Sequence, residues 1–221
     1  MTALNTDLKT TIQDLLGHQV LSSVVKTGKS TVYKIASSKN NNDNWYLKVG
    51  HNVDDEYQRL KWLANILPVP KIVGYEKLKN NQSWLLTAGM KGTDLAELCE
   101  SLTPDEIIKR LALALRQIHS IRIDNMQFIG AIPGSTLTHG DACTPNFIFT
   151  KDGSLSGIID VGDAGISSPE IDLSAAVWSL NYSLGPGHGS NFLKQYGWKN
   201  TSSQEVERLT ALYETSPPFL G

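Results

Sequence analysis

The chain has 221 residues, enough for one large domain or two lobes with a buried core. Apolar residues make up 40% and charged residues 19%, which excludes wholesale disorder. Lys and Arg number 20 against 22 Asp and Glu, so the net charge of −2 leaves no basic footprint for nucleic acid and no polybasic patch for a membrane.

The first half reads as strands around two helices. Residues 7–16 form a short amphipathic segment. Residues 20–25 and 31–36 are β-branched and aromatic, with Gly28 between them, and predict a hairpin. An Asn-rich turn at 40–44 leads into a third strand at 45–49. Leu60, Leu63 and Leu67 give 54–67 a helical stripe, opened by Asp54, Asp55 and Glu56 as the macrodipole prefers. Pro68 and Pro70 stop it, and 69–78 and 83–87 read as two further strands.

The second half is mostly helical. Thr103 is an N-cap with Pro104 at the first helical position and acids behind it, and the helix runs through Leu111, Leu115 and Ile118 to about Ser120. Strands at 136–138, 147–150 and 155–160 follow, the last two joined across an Asp152-Gly153 turn. Helices close the chain near 171–184, 191–195 and 203–213. The fold class is α+β, with a sheet-rich N-lobe (1–90) and a mainly helical C-lobe (91–221) that carries a small hairpin.

Cys99 and Cys143 make neither a disulfide framework nor a metal quartet. No apolar run reaches the ~20 residues that span a bilayer, and the N-terminus lacks the basic and apolar regions of a signal peptide. A reducing, cytoplasmic setting with access to nucleotides is the expectation.

The chemistry is concentrated in one segment. His139, Asp141 and Asn146 follow the spacing H-x-D-x-x-x-x-N, and Asp160-Val161-Gly162 supplies D-x-G across the hairpin. An Asp in such a loop accepts the proton of an acceptor hydroxyl. The Asn, five residues on, offers a neutral oxygen to Mg²⁺, and the second Asp a charged one. Mg²⁺ takes few carboxylates and fills its shell with phosphate oxygens and water. His139 reads as an anchor of the loop more than as a base. Cys143 has no evident neighbouring base and reads as a loop residue. His119 reads as bonded locally at its helix end, and Asp172 as a brace for the loop.

Lys48 lies on the third strand, facing the same way as Tyr46 because strand side chains alternate. Alone it reads as a surface lysine. Glu56 changes this: it shares the buried face of Leu60 and Leu63, and a buried carboxylate needs a partner. Lys48 supplies one, matching the strand-Lys to helix-Glu pair of kinases. Asp54 and Asp55 read as solvated. Gly28-Lys29-Ser30 looks like the end of a P-loop, but the first Gly of that motif would fall at Ser23, and strand follows where helix is needed. A hairpin tip lying over phosphates fits better.

The 138–146 run and 159–162 resemble closely the signatures of aminoglycoside phosphotransferases of the 3′-hydroxyl-specific type. The likeness continues through 192–197, 32–34 and 46–48. It implies a bilobal protein-kinase-like fold and transfer of the γ-phosphate of ATP or GTP to an antibiotic hydroxyl. It further implies Asp141 as catalytic base, Asn146 and Asp160 as Mg²⁺ ligands, Lys48 on the phosphates and paired with Glu56, and Tyr46 stacked on the base. Residues 87–90, including Ala88 and Met90, would meet the adenine edge, and Lys29, Ser30 and Thr31 would form the phosphate loop. The partner is then a cationic small molecule, with no nucleic acid or membrane.

The chain departs from that family in two places. Relatives carry an acid-rich helical insertion before the catalytic loop, whereas here about twenty residues intervene and Asp124 is their sole acid. Asp163 stands where relatives usually carry a basic residue. Glu170, Glu205, Glu207, Glu214 and the terminal carboxylate are the acids left to substitute. A kinase of the same fold for an amino alcohol or sugar, and a nucleotide-binding module without transfer, are the alternatives.

Overall fold

The computed structural model describes residues 4–26, 30–38, 44–78, 81–123 and 127–215. The chain divides into two compact units, Met1–Met90 and Lys91–Gly221.

In the first unit the side chain of Asn5 accepts the Asp7 N–H at 2.8 Å and opens α1 (Thr6–Leu16). Gly17, at φ 71°, closes it in the left-handed conformation that glycine adopts without strain. Five antiparallel strands follow: β1 (Val20–Lys26), β2 (Ser30–Ser37), β3 (Asn44–Gly50), β4 (Ile72–Lys77) and β5 (Ser83–Ala88), ordered β1-β2-β3-β5-β4. The pleat divides the sheet into two faces. Tyr33, Leu47 and Leu86 stand side by side on one and bury against Ile12 of α1. Val32, Lys48 and Leu85, each one residue along, occupy the other.

Between β3 and β4 runs α2 (Val53–Leu63), which buries Val53, Glu56, Leu60 and Leu63. It ends at Leu63 and not at Leu67. The N–H groups of Ile66 and Leu67 both return to the Leu63 carbonyl, because Pro68 bars its predecessor from continuing the helix. β4 likewise starts at Ile72 and not at Val69, since Pro70 has no N–H for the ladder. Asp54, expected to be solvated, accepts from the Tyr75 hydroxyl and pairs with Lys77 at 2.5 Å.

The second unit comprises β6 (Thr93–Asp94), α3 (Leu95–Leu98), α4 (Pro104–Ser120), β7 (Thr136–Thr138), β8 (Phe147–Phe149), β9 (Leu155–Ile158), β10 (Gly165–Ser167), α5 (Glu170–Leu184), α6 (Gly189–Tyr196) and α7 (Ser203–Glu214). β6, β8 and β9 form one small sheet, β7 and β10 another. A complete capping box between Thr103 and Glu106 opens α4, which sets Ile107, Ile108, Leu111, Leu115 and Ile118 inward. α5 is apolar on nearly every side and buries most of its length, so it runs through the middle of this unit against α4, α6 and α7. β6, α3 and β10 were not anticipated; two to four residues carry too little periodicity to register. Among the described residues of 121–135 there is no helix, only a single parallel bridge from Ile129 to Ile166. Asp124 lies outside the described residues. Among the described residues, no helix is long and apolar enough to cross a membrane.

Candidate active site

The segment after β7 is an ordered loop held by α5 directly and by α4 and α6 through it. Asp172, fully buried on α5, takes the His139 N–H on Oδ2 and the Gly140 N–H on Oδ1, each at 2.8 Å. His119 of α4 reaches the same Oδ2 at 3.0 Å and meets the Tyr196 hydroxyl of α6 at 2.8 Å with its other nitrogen. His119 therefore ties three helices to the loop, where the sequence had suggested a local bond. Thr144 is fastened to α5 by Ser179, which takes its N–H at 2.9 Å, and by Ser183.

His139 is an anchor. It is buried; its Nε2 donates to the Ile159 carbonyl at 2.9 Å and its Nδ1 accepts the Asp141 N–H at 3.2 Å. That pair of bonds selects the neutral tautomer with the proton on Nε2. Gly140 has φ +88°, and a Cβ placed there would stand 2.3 Å from the Asp163 carbonyl oxygen. Backbone conformation and space both require glycine.

Asp141 presents its carboxylate beside three donors. Asn146 gives its Nδ2 to the Asp141 carbonyl at 2.9 Å and to Oδ2 at 3.3 Å. Oδ1 receives the Tyr213 hydroxyl at 2.8 Å and lies 3.1 Å from the Cys143 sulfur. Burial pushes the Cys143 thiol up, the Asp141 charge adding to it, so the sulfur is a thiol at neutral pH and not a nucleophile.

The hairpin continues this geometry. The Asn146 carbonyl accepts the Ile159 N–H at 3.0 Å, and Phe147 pairs with Ile158, so Asn146 and Asp160 sit across one end of the ladder. Asp160 adopts the left-handed region at φ 56°, which its short polar side chain tolerates. In the first unit the ion pair inferred from burial is present: Lys48 Nζ lies 2.6 Å from Glu56 Oε2, Glu56 being buried on α2. Tyr46 is more exposed and stands on the Lys48 face of the sheet. Ser30 and Thr31 begin β2 opposite Gly50 and Val49, while Lys29 and Gly28 lie outside the described residues. Ala88 ends β5, its N–H bonded to the Lys71 carbonyl at 2.9 Å, and Met90 is the last residue of the first unit.

The sequence model of the phosphotransferase enzyme family matches residues 30–133 and 129–209 of this chain. The chain belongs to that family. An aminoglycoside 3′-phosphotransferase of Escherichia coli is 26% identical over 88% of the chain and 89% of its own length. One from Salmonella typhimurium is 25% identical over 72% and 74%. The crystal structure of an aminoglycoside-3′-phosphotransferase of type VIII covers 95% of the chain and 99% of its own at a TM-score of 0.73 and 20% identity. The streptomycin–ATP–APH(2″)-IIa ternary complex covers 100% and 97% at a TM-score of 0.65 and 16% identity. The phosphotransferase thus has the protein-kinase-like α+β fold, with a sheet-rich N-terminal part and a mainly helical C-terminal part.

The phosphotransferase's hairpin suits a hard cation. Asn146 spends its amide N–H₂ on Asp141, which leaves the amide oxygen as its remaining acceptor, and Asp160 adds a carboxylate. Among the described residues no group of three or more His, Cys, Asp or Glu converges on one point. Two oxygens completed by phosphate and water are what Mg²⁺ accepts.

Of the C-terminal acids, two are already engaged. Arg208 grips Glu205 with two nitrogens, both at 2.9 Å, and reaches Glu170 at 2.7 Å. Trp198 Nε1 adds a 2.9 Å bond to Glu205. Arg208 and Trp198 overcome the cost of burial and hold the Glu205 carboxyl down to about 2. Glu207 and Glu214 instead line a groove of about 450 Å³ between α7 and the connection from α5 to α6, together with Asn181 and Thr210. Among the described residues, the buried Asn181 Oδ1 has no hydrogen-bond partner. Tyr213, Ser179 and Ser183 were missed by sequence reasoning. The serines, one turn apart on an otherwise apolar helix, were a readable signal of a buried polar contact; Tyr213 sits in an ordinary core position one turn after Leu209 and announces nothing.

Proposed function

We propose that this phosphotransferase moves the γ-phosphate of ATP or GTP to a hydroxyl of an aminoglycoside. The observation that carries the proposal is the joint placement of Asp141 and Asn146. One amide side chain holds the carboxylate, while its own backbone is locked beside Asp160.

In this reading Asp141 takes the proton of the acceptor hydroxyl and aims its oxygen at the γ-phosphate. Lys48, held by Glu56, binds the phosphates, and Tyr46 stacks on the base. Ala88 and Met90 meet the base edge, and Lys29, Ser30 and Thr31 lie over the phosphates. Asn146 and Asp160 hold Mg²⁺, which when bound neutralises charge on the phosphates. No covalent enzyme intermediate is required; the chain positions and neutralises. The aminoglycosides named with the relatives support a polycationic acceptor. Glu207 and Glu214 offer such an acceptor carboxylates.

The test incubates the purified protein with Mg²⁺, ATP or GTP and a mixed panel of aminoglycosides, amino alcohols and sugars, and reads products by mass. A phosphorylated aminoglycoside, lost in Asp141→Asn while nucleotide still binds, is the expected result. Full activity in Asp141→Asn overturns the reading. A phosphorylated amino alcohol or sugar in place of the drug replaces the acceptor and keeps the chemistry; the non-helical course of the described residues of 121–135 is what favours that second reading.

A further inference from the structure

We propose that Tyr213, on the last turn of α7, is a positioning residue for Asp141 that reserves one carboxylate oxygen, Oδ2, for the acceptor proton. The proposal rests on the reading of Asp141 as the base.

The Tyr213 hydroxyl donates to Asp141 Oδ1 at 2.8 Å from 72 residues away in sequence. The Cys143 sulfur completes a triangle, 3.1 Å from the same oxygen and 3.0 Å from the phenol oxygen. Burial pushes both the phenol and the thiol up, and the negative charge of Asp141 adds to this, so both groups stay protonated and serve as donors. Oδ1 is therefore engaged. Among the described residues, Oδ2 receives the longer 3.3 Å contact from Asn146, and a hydrogen bond of that length is weak and easily exchanged for a substrate hydroxyl.

Tyr213 is built to stay where it is. It is 4% exposed, and its ring lies against Trp178 of α5 with centroids 5.2 Å apart. One turn earlier Leu209 is fully buried in the same seam. A side chain packed this way is no mobile lid; it fixes the rotation of the carboxylate, as a group that must meet a hydroxyl at hydrogen-bond distance requires. Among the described residues, α7 thus reaches the catalytic loop through the Tyr213 hydroxyl.

The test is Tyr213→Phe, which keeps the ring and removes the donor. It is assayed for phosphate transfer to the acceptor found above, or for nucleotide hydrolysis where no acceptor turns over. Loss of one hydrogen bond to a charged group predicts a roughly ten- to hundredfold fall in kcat. The nucleotide KM and the melting temperature stay at their wild-type values. An unchanged or raised kcat in Tyr213→Phe overturns the proposal, as does a fall in kcat accompanied by a raised nucleotide KM or a lowered melting temperature, which marks a merely structural effect. If Asp141→Asn itself keeps wild-type turnover, or the wild type has none, the reading of Asp141 as base fails first and this proposal falls with it.

Discussion

The backbone N–H of Gly140 donates to Oδ1 of Asp172 at 2.8 Å, joining the candidate catalytic loop to the buried helix α5. The other oxygen of the same carboxylate is shared by His139 N–H and His119. Three donors on one fully buried carboxylate make Asp172 the point on which the loop is hung. Asp172→Asn offers one oxygen in place of two and turns an N–H₂ toward a donor. Leaving buried donors unpaired costs about 2–4 kcal/mol. Urea denaturation should show that loss, and phosphate transfer should fall with it, since the loop carries Asp141.

Gly140 and Gly185 form a matched control. Both have φ near +87°, at +88° and +86°. A Cβ on Gly185 meets nothing within 4 Å, whereas one on Gly140 meets the Asp163 carbonyl at 2.3 Å. Gly185→Ala should lose about 1–3 kcal/mol from the conformation alone, since φ 86° with ψ 173° is a region that only glycine populates readily. Gly140→Ala must move the loop or the Asp163 backbone, and its activity should collapse. Melting curves and turnover of the two variants, measured side by side, check the difference.

Lys48 and Glu56 are joined at 2.6 Å, with Glu56 buried among the apolar residues of α2. Glu56→Gln keeps the shape and releases the lysine from its charged partner. Weaker nucleotide binding follows if Glu56 aims Lys48 at phosphate. Titration of the variant with a nonhydrolysable ATP analogue should show a raised Kd. Lys48→Met should raise it further, and an unchanged Kd in both removes Lys48 from the phosphate site.

Glu205 sets a pH window. Chiefly through Arg208, its folded carboxyl is held down to about 2, below the ordinary value of 4.5. A carboxyl depressed in the folded state binds protons more tightly when unfolded, so its contribution is full above the unfolded value and is lost as pH falls toward about 2. Wild-type stability should therefore drop more steeply than that of Glu205→Gln between these limits, and the two curves should converge at the acid end. Chemical denaturation across that range measures it.

Much of the architecture was legible because its causes are local. The N-cap at Thr103 followed by Pro104, the Asp152-Gly153 hairpin and the H-x-D-x-x-x-x-N spacing each lie within a few residues. The Lys48–Glu56 pair was legible for a different reason: a carboxylate on an apolar helix face demands a cation, and a strand lysine stood eight residues away. Boundaries were less readable. α2 stops short of Leu67 because Pro68 acts on the residue before it, a steric effect that a leucine stripe does not register.

The residues around the site depended on the folded chain. Glu170 and Glu205 read as acids available to a cation, yet Arg208 had already claimed both. His119 read as a local helix end, yet its two nitrogens join α5 and α6.

The sequence by itself determined the family, the order of sheet and helices, and the motif carrying Asp141, Asn146 and Asp160, because spacing and periodicity are properties of neighbours along the chain. Asp172 was legible as a brace for the loop, but tertiary structure alone decided which further distant groups close on that motif: His119 behind Asp172, Ser179 behind Thr144, and Tyr213 on Asp141 from 72 residues away. A hydroxyl in a helix core position looks the same in sequence whether it meets lipid-like side chains or a carboxylate. Only the packing of α7 on α5, driven by burial of Leu209 and the Tyr213 ring, brings that hydroxyl within hydrogen-bond reach of its partner.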